Sequence, residues 1–359
     1  MADRSRRESP RRAVVIGAGS FGTAVAVLLA RGGLRATLQT RTAEQCRVLD
    51  DARENRTYLP GVQFPRDLRV EPASAGLSRA DVVFLGVPSH DLYGVITGLS
   101  SAGLADRAAV VSLAKGLVAP DGTPPTVMLR SLFMDERIAC IGGPAHAQEM
   151  VGEGAGLVAA STSEQLAVAL AGVFERAGVV CEASNDPVGV ELAGAAKNAA
   201  ALASGATEAQ GLNAAGAAAG HIFAEVWRYA EALGARPESL IGLAGTGDLV
   251  ATALAPQSRN RRAGELLAQG VPSAAIAAHI GQAVEALESV PLLATALQRS
   301  GVDAPVTAAL GRLISGELPL DDWVALVRTT VPPAARWRVA GGFWRRRWER
   351  VRDVFRRER

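Results

Sequence analysis

The sequence predicts an α/β N-terminal half, built on a doubly wound parallel sheet, followed by an all-α C-terminal half. Three observations carry this. A short apolar run, Ala13 to Ile16, leads straight into Gly17-Ala18-Gly19-Ser20-Phe21-Gly22 and then into a helical stretch, Thr23 to Arg31, stopped by Gly32-Gly33. Further β-rich runs at 36–40, 81–87, 109–113 and 138–141 alternate with helical segments. After Pro187 the texture changes to Ala- and Leu-rich stretches at 188–202, 213–233, 261–267 and 284–297, with no convincing strand. The expected division is a basic segment 1–12, a nucleotide-binding half 13–187, a helical half 188–330 and a basic tail 331–359.

The glycine turn has a strand before it and a helix after it, which is what the Rossmann-type fingerprint requires. Gly17 permits the tight bend, Gly19 lets the backbone approach a pyrophosphate, and Gly22 lets the helix pack close to the strand. The phosphates then sit at the positive end of a helix. The end of the second strand bears on which nicotinamide cofactor is preferred. Gln39, Thr40 and Arg41 stand where an acid would hold ribose hydroxyls, and no acid follows until Glu44. Arg41 suits a 2′-phosphate, so NADP(H) is the preferred cofactor, with NAD(H) the other option.

Three loops fall at expected carboxyl ends of strands, the edge where open α/β sheets bind ligands. They are Val87-Pro88-Ser89-His90, Ala114-Lys115-Gly116-Leu117 and Gly142-Gly143-Pro144-Ala145-His146-Ala147. Of 38 basic residues, 36 are Arg and two are Lys, Lys115 and Lys197. Arg cannot exchange its proton and Lys can, so two lysines retained in so Arg-rich a chain are candidates for chemistry. Lys197 lies in an apolar helical run beside Asn198, as a lone polar group facing a cleft. Farther on, Gly242 to Thr252 carries Asp248, and Ser258-Arg259-Asn260 follows. Ser258 is a good helix N-cap. With Arg259, Asn260 and free backbone N–H groups it makes a seat for phosphate.

These segments together resemble the NAD(P)-dependent glycerol-3-phosphate dehydrogenase family, from about Ala13 to about Leu326. GLAGTGDLVATALAPQSRNRR is the most specific part, and GAGSFGTA, VPSH, AKGL, GGPAHAQE, ELAGAAKNAAA and QAVEALESV fall in the family's order. The resemblance implies reversible reduction of dihydroxyacetone phosphate to sn-glycerol 3-phosphate. It implies Lys197 as general acid/base, Lys115 as the second active-site lysine, and Asp248 as their partner. Gly143, Ala145, Asn198, Thr252, Ser258, Arg259 and Asn260 would bind substrate with Lys115. Ser20, Phe21, Arg41, Ala147, Ala283 and Glu285 would contact cofactor, with Lys115 and Arg259 touching it too. A homodimer is a family-level expectation. The chain departs from the family at Ala145, where Ser or Thr is usual, at Ala215, His221 and Ile222, and at Ala286 in place of Gly. Two other readings stay open: a related dehydrogenase of another small phosphorylated substrate, and a catalytically silent NADP(H)-binding regulator.

Charge excludes one class of partner. Residues 1–12 carry net +3 and residues 331–359 net +7, so within a total of +2 the body is at −8. An acidic body is a poor nucleic-acid binder. No apolar run approaches the ~20 residues of a membrane span, and no secretory pattern follows the N-terminus, so a cytoplasmic protein is expected. Cys46, Cys140 and Cys181 lack metal or redox spacing, so free thiols and no metal site are expected. In the tail, Trp344, Trp348, Val351 and Phe355 fall on one helical face among arginines. That pattern over 343–357 suits an interfacial helix on an anionic membrane, or one packed on the acidic body.

Overall fold

The structure, a computed structural model, describes residues 11–255 and 257–331. The aromatic–arginine face expected at 343–357 lies outside the described residues. In the N-terminal half the strands are β1 Arg12–Ile16, β2 Arg35–Thr40, β3 Glu54–Asn55, β4 Leu59–Gln63 and β5 Leu68–Pro72. They continue with β6 Val82–Leu85, β7 Ala109–Ser112, β8 Ile138–Gly142, β9 Gly156–Ala160 and β10 Val180–Ser184. Helices α1 Ser20–Arg31, α2 Ala43–Ala52, α3 Ser89–Gly98, α4 Pro125–Leu129, α5 Ala147–Gly152 and α6 Glu164–Arg176 lie between them. Eight strands form one sheet in the order β10-β9-β8-β7-β6-β1-β2-β5, and β3 pairs with β4 in a separate hairpin.

The pleat feeds two cores. Ala13 and Val15 of β1, with Val82 and Phe84 of β6, point to the face that α1 covers. Val14, Val83 and Leu85 point the other way, against Leu92 and Ile96 of α3. Strands buried on both faces read as continuous apolar runs, which is why these were legible.

Two features differ from expectation. The sheet is parallel except between β8 and β9, which are antiparallel. The only helix between them, α5, has six residues and rises about 9 Å. That is too little to carry the chain back along a five-residue strand of roughly 17 Å, so it turns and runs antiparallel. And α1 begins at Ser20, inside the glycine turn, rather than at Thr23.

From Pro187 onward the described residues hold helices and no strand: α7 Pro187–Thr207, α8 Leu212–Ala232, α9 Pro237–Ile241, α10 Asp248–Leu254 and α11 Arg259–Ala268. α12 Ser273–Ile280, α13 Glu285–Arg299, α14 Pro305–Ser315 and α15 Leu320–Thr329 complete it. α7 is the axis of this half. Asp186 caps it by accepting from the Gly189 N–H at 2.9 Å, and Pro187 stands at its first position, where a missing N–H costs nothing. Every residue of α7 except Ser204 is buried, under α8, α10, α11 and α13. Small side chains let those helices come close. The departures at 221 and 222 fall on α8, where Ile222 is wholly buried in the helical core and His221 is half-buried.

Candidate active site

The site lies beside the C-terminal ends of β1, β7 and β8, where β8 packs on α7. Gly17 has φ +112° and its missing Cβ would sit 2.4 Å from the Gly86 carbonyl oxygen, so neither a side chain nor an ordinary φ fits there. A Cβ on Gly22 would meet the Gly17 oxygen at 2.2 Å, which fixes the close approach of α1 to the turn. A Cβ on Gly19 would meet nothing within 4 Å. The turn thus leaves open space at the N-terminus of α1, whose first N–H groups have no intrahelical acceptor. Asn55, buried in the hairpin, donates to the Ala18 carbonyl and to Thr23 Oγ1, both at 2.9 Å, and holds the turn from outside. Nothing in the sequence marked Asn55, because its partners lie 37 and 32 residues away.

Lys115 follows β7. Its Nζ donates to the Gly143 carbonyl at 2.8 Å and to Asp248 Oδ2 at 2.7 Å, and stands 5.5 Å from the centre of the Phe21 ring. Lys197, on α7, is 8% exposed. Its Nζ lies 3.4 Å from Asp248 Oδ1 and donates to Thr252 Oγ1 at 3.3 Å. Asp248 is 2% exposed and opens α10, directly after one π-helical turn over Leu243–Gly247. One carboxylate therefore serves two lysines. Burial pushes the Asp248 carboxyl up, but Lys115 and Lys197 outweigh it and hold it below the ordinary range. For Lys197 burial wins, helped by the charge of Lys115, and its proton affinity falls below that of an ordinary lysine despite Asp248 and Glu285. An ammonium has three N–H donors, so each lysine keeps one for a ligand.

Asn198 and Asn260, expected to contact substrate, also bond to one another and to the loops around them. Asn198 Nδ2 donates to the Lys115 carbonyl at 2.9 Å and to Glu285 Oε2 at 3.1 Å. Its Oδ1 accepts from Asn260 Nδ2 at 2.7 Å, and Asn260 Oδ1 accepts from the Ala286 N–H at 3.2 Å. Together the two amides join α7, α11, α13 and the Lys115 loop, and Asn260 Nδ2 keeps a second N–H. Ser258 caps α11 by accepting from the Arg261 N–H at 3.4 Å. Arg259 is held by the Ala283 carbonyl at 2.9 Å and remains exposed. Ala145 and Ala147 pack at the margin of the sheet core. Arg41 pairs with Asp91 at 2.9 Å.

Glu191 had no role in the sequence reading. It is 2% exposed and lines the same small cavity as Lys115, Gly143 and Asp248. Its carboxyl accepts from Thr126 N–H at 3.0 Å and Thr126 Oγ1 at 2.6 Å. Burial raises its pKa to about 8 even so. An acid inside the apolar run 188–202 was the available signal.

Residues 12–167 match the family described as NAD-dependent glycerol-3-phosphate dehydrogenase N-terminus, and residues 186–325 match its C-terminus. A glycerol-3-phosphate dehydrogenase (NAD(P)+) of Methylococcus capsulatus is 36% identical over 316 residues, 86% of this chain and 94% of that one. One of Deinococcus radiodurans is 38% identical over 308 residues, 84% of this chain and 90% of that one. The crystal structure of the Coxiella burnetii glycerol-3-phosphate dehydrogenase superposes with a TM-score of 0.81 at 28% identity, covering 90% of this chain and all of that one. With both halves matched in order and relatives of this identity along most of its length, the chain belongs to the NAD-dependent glycerol-3-phosphate dehydrogenase family.

Proposed function

We propose that this protein reduces dihydroxyacetone phosphate to sn-glycerol 3-phosphate, reversibly, with a nicotinamide cofactor, and so supplies a precursor of phospholipids. The observation that carries this reading is the convergence of the chain's two lysines on the buried carboxylate of Asp248, at 2.7 and 3.4 Å.

The open space beside Gly19 at the start of α1 fits a dinucleotide pyrophosphate. Gly17, Gly19, Ser20, Phe21 and Gly22 would hold it, with Ala147, Ala283 and Glu285 lining the remainder and Arg41 taking a 2′-phosphate, so NADP(H) is the preferred cofactor. When bound, the nicotinamide supplies the hydride in reduction and accepts it in oxidation. The protein's own work is done by the lysines. Lys197 gives its proton to the carbonyl oxygen of the substrate as the carbon is reduced, and takes one from the hydroxyl in the reverse direction. Weakened proton affinity suits that donor, because it brings the lysine closer to the working pH. Lys115 turns its remaining N–H toward the same oxygen, where negative charge develops. Arg259 and the N-terminus of α11, with Ser258, bind the substrate phosphate. That remote contact supplies binding energy for orienting the carbonyl. Asn198 and Asn260 act by fixing the Lys115 loop, and Gly143 by holding its ammonium.

We also propose a homodimer, as expected of the family, and contact between segment 343–357 and anionic membrane, on the aromatic–arginine pattern alone. The activity is tested by mixing purified protein with NADPH or NADH and following nicotinamide absorbance. Rapid loss with dihydroxyacetone phosphate, and far slower loss with unphosphorylated dihydroxyacetone, is expected. Equal rates with both substrates, or none with either, would remove the proposal.

A further inference from the structure

Arg41 immediately follows β2, and Asp91 lies in the first turn of α3, shortly after β6. β2 and β6 are the two neighbours of β1 in the sheet, so they stand roughly 10 Å apart on either side of it. The Arg41–Asp91 contact, Nη2 to Oδ2 at 2.9 Å, therefore bridges the end of β1, at the mouth of the glycine turn. Asp91 Oδ2 has a second neighbour, Nε2 of His90 at 3.7 Å, and His90 Nδ1 meets Glu288 of α13 at 2.9 Å. A chain of polar contacts thus runs Arg41, Asp91, His90, Glu288 from the ribose end of the crevice to the helical half. The Arg41 side chain is 77% exposed, so its bond to Asp91 is in contact with water and free to exchange.

We propose that Asp91 is a cofactor-specificity residue. It keeps hold of Arg41 when the dinucleotide has a free 2′-hydroxyl, and releases it when a 2′-phosphate arrives. This rests on the reading of Arg41 as the 2′-phosphate contact. An arginine without a counter-ion would give its full attraction to the phosphate. Here the phosphate must first displace a carboxylate and then remain near it. A like charge about 4 Å away in a wet site weakens binding roughly fivefold. The released carboxylate has somewhere to turn, toward the imidazole that Glu288 holds. The consequence is a site that favours NADP(H) only mildly and keeps NAD(H) usable, because the strap over the crevice is satisfied in either case.

The test uses two small probes that differ only by the 2′-phosphate, adenosine 2′,5′-bisphosphate and adenosine 5′-monophosphate, with Kd measured by calorimetry. Asp91→Asn should tighten the bisphosphate about fivefold and leave the monophosphate within twofold. The same variant should raise the ratio of kcat/KM for NADPH over NADH by a similar factor, chiefly through KM. Arg41→Ala should weaken the bisphosphate selectively. In the Arg41→Ala background, Asp91→Asn should change the ratio less than it does with Arg41 present, because only the carboxylate's repulsion of the phosphate is left to remove and not its hold on the arginine. If Arg41→Ala is selective but Asp91→Asn is without effect, the inference is wrong and the Arg41 reading survives. If Asp91→Asn instead weakens the monophosphate or NADH, Asp91 holds a ribose hydroxyl and the inference is overturned. If Arg41→Ala affects both probes alike, the Arg41 reading fails and takes the inference with it.

Discussion

Lys197 works from a setting that disfavours its own charge. Burial first, then Lys115, lower its pKa from the ordinary 10.5, and Asp248 and Glu285 pull only part of the way back. In reduction the lysine must start protonated; in oxidation it must start neutral. The rate of reduction should therefore fall, and that of oxidation rise, along a limb centred below 10.5. Lys197→Arg should abolish that limb and lower kcat by ~10²–10⁴-fold, the usual worth of a general acid. Near-wild-type kcat in Lys197→Arg would take the role from it. Lys197 and Lys115 were legible because the chain has no other lysine, and Asp248 because of the segment around it. The bonds of Asn198 and Asn260 to one another were not legible, since they depend on α11 crossing α7, and no local pattern encodes a crossing.

Among elements, α7 acts as a seat for the Lys115 loop. Glu191, Gly194 and Asn198, three and then four residues apart, share one face of it. Glu191 grips Thr126 at the start of α4, Lys115 packs 3.4 Å from where a Gly194 Cβ would stand, and Asn198 bonds the Lys115 carbonyl. The Glu191 carboxyl has a folded pKa of about 8 against 4.5 in the open chain. A raised acid binds its proton more tightly when folded, so its stabilising contribution is complete below 4.5 and is lost as pH rises through about 8. Glu191→Gln cannot titrate. Urea unfolding should show wild type losing stability relative to Glu191→Gln by up to about 1.4 kcal/mol per pH unit in that window. Parallel pH curves for the two proteins would mean that Glu191 ionises normally. The sheet was read correctly at its centre and incompletely at its margins. β10 is an edge strand with polar, exposed residues, β9 is a short Gly- and Ala-containing run, and the alternation of β5 spans only Leu68 to Glu71 before Pro72, so none of them stood out. The direction of β9 depends on the shortness of α5, which only the folded chain displays.

At the scale of the whole molecule the charge is unevenly placed, with a body at −8 and a tail at +7 over residues 331–359. The family matches end at residue 325, so they say nothing of what the tail does. Full-length protein should co-sediment with anionic vesicles at low salt, dissociate as salt rises and ignore neutral vesicles. Protein ending at Val331 should stay folded and fail to bind. Equal partitioning of the two would assign the aromatic residues to packing instead. The division of labour between sheet and helices was plain from the loss of strand patterns after Pro187, whereas the way α7 is wrapped was not, because a helix apolar all round gives no amphipathic period. That wrapping has a kinetic meaning. The amide hydrogens of α7 can reach solvent only when the surrounding helices separate from it, so they should be among the last in the protein to exchange for deuterium. α11 lies directly on α7, with Asn260 bonded to Asn198 and no room for a Cβ at Gly205 or Gly264, so it cannot open without uncovering that stretch of α7. The phosphate seat on α11 and the proton donor on α7 should therefore lose their protection together, in one opening.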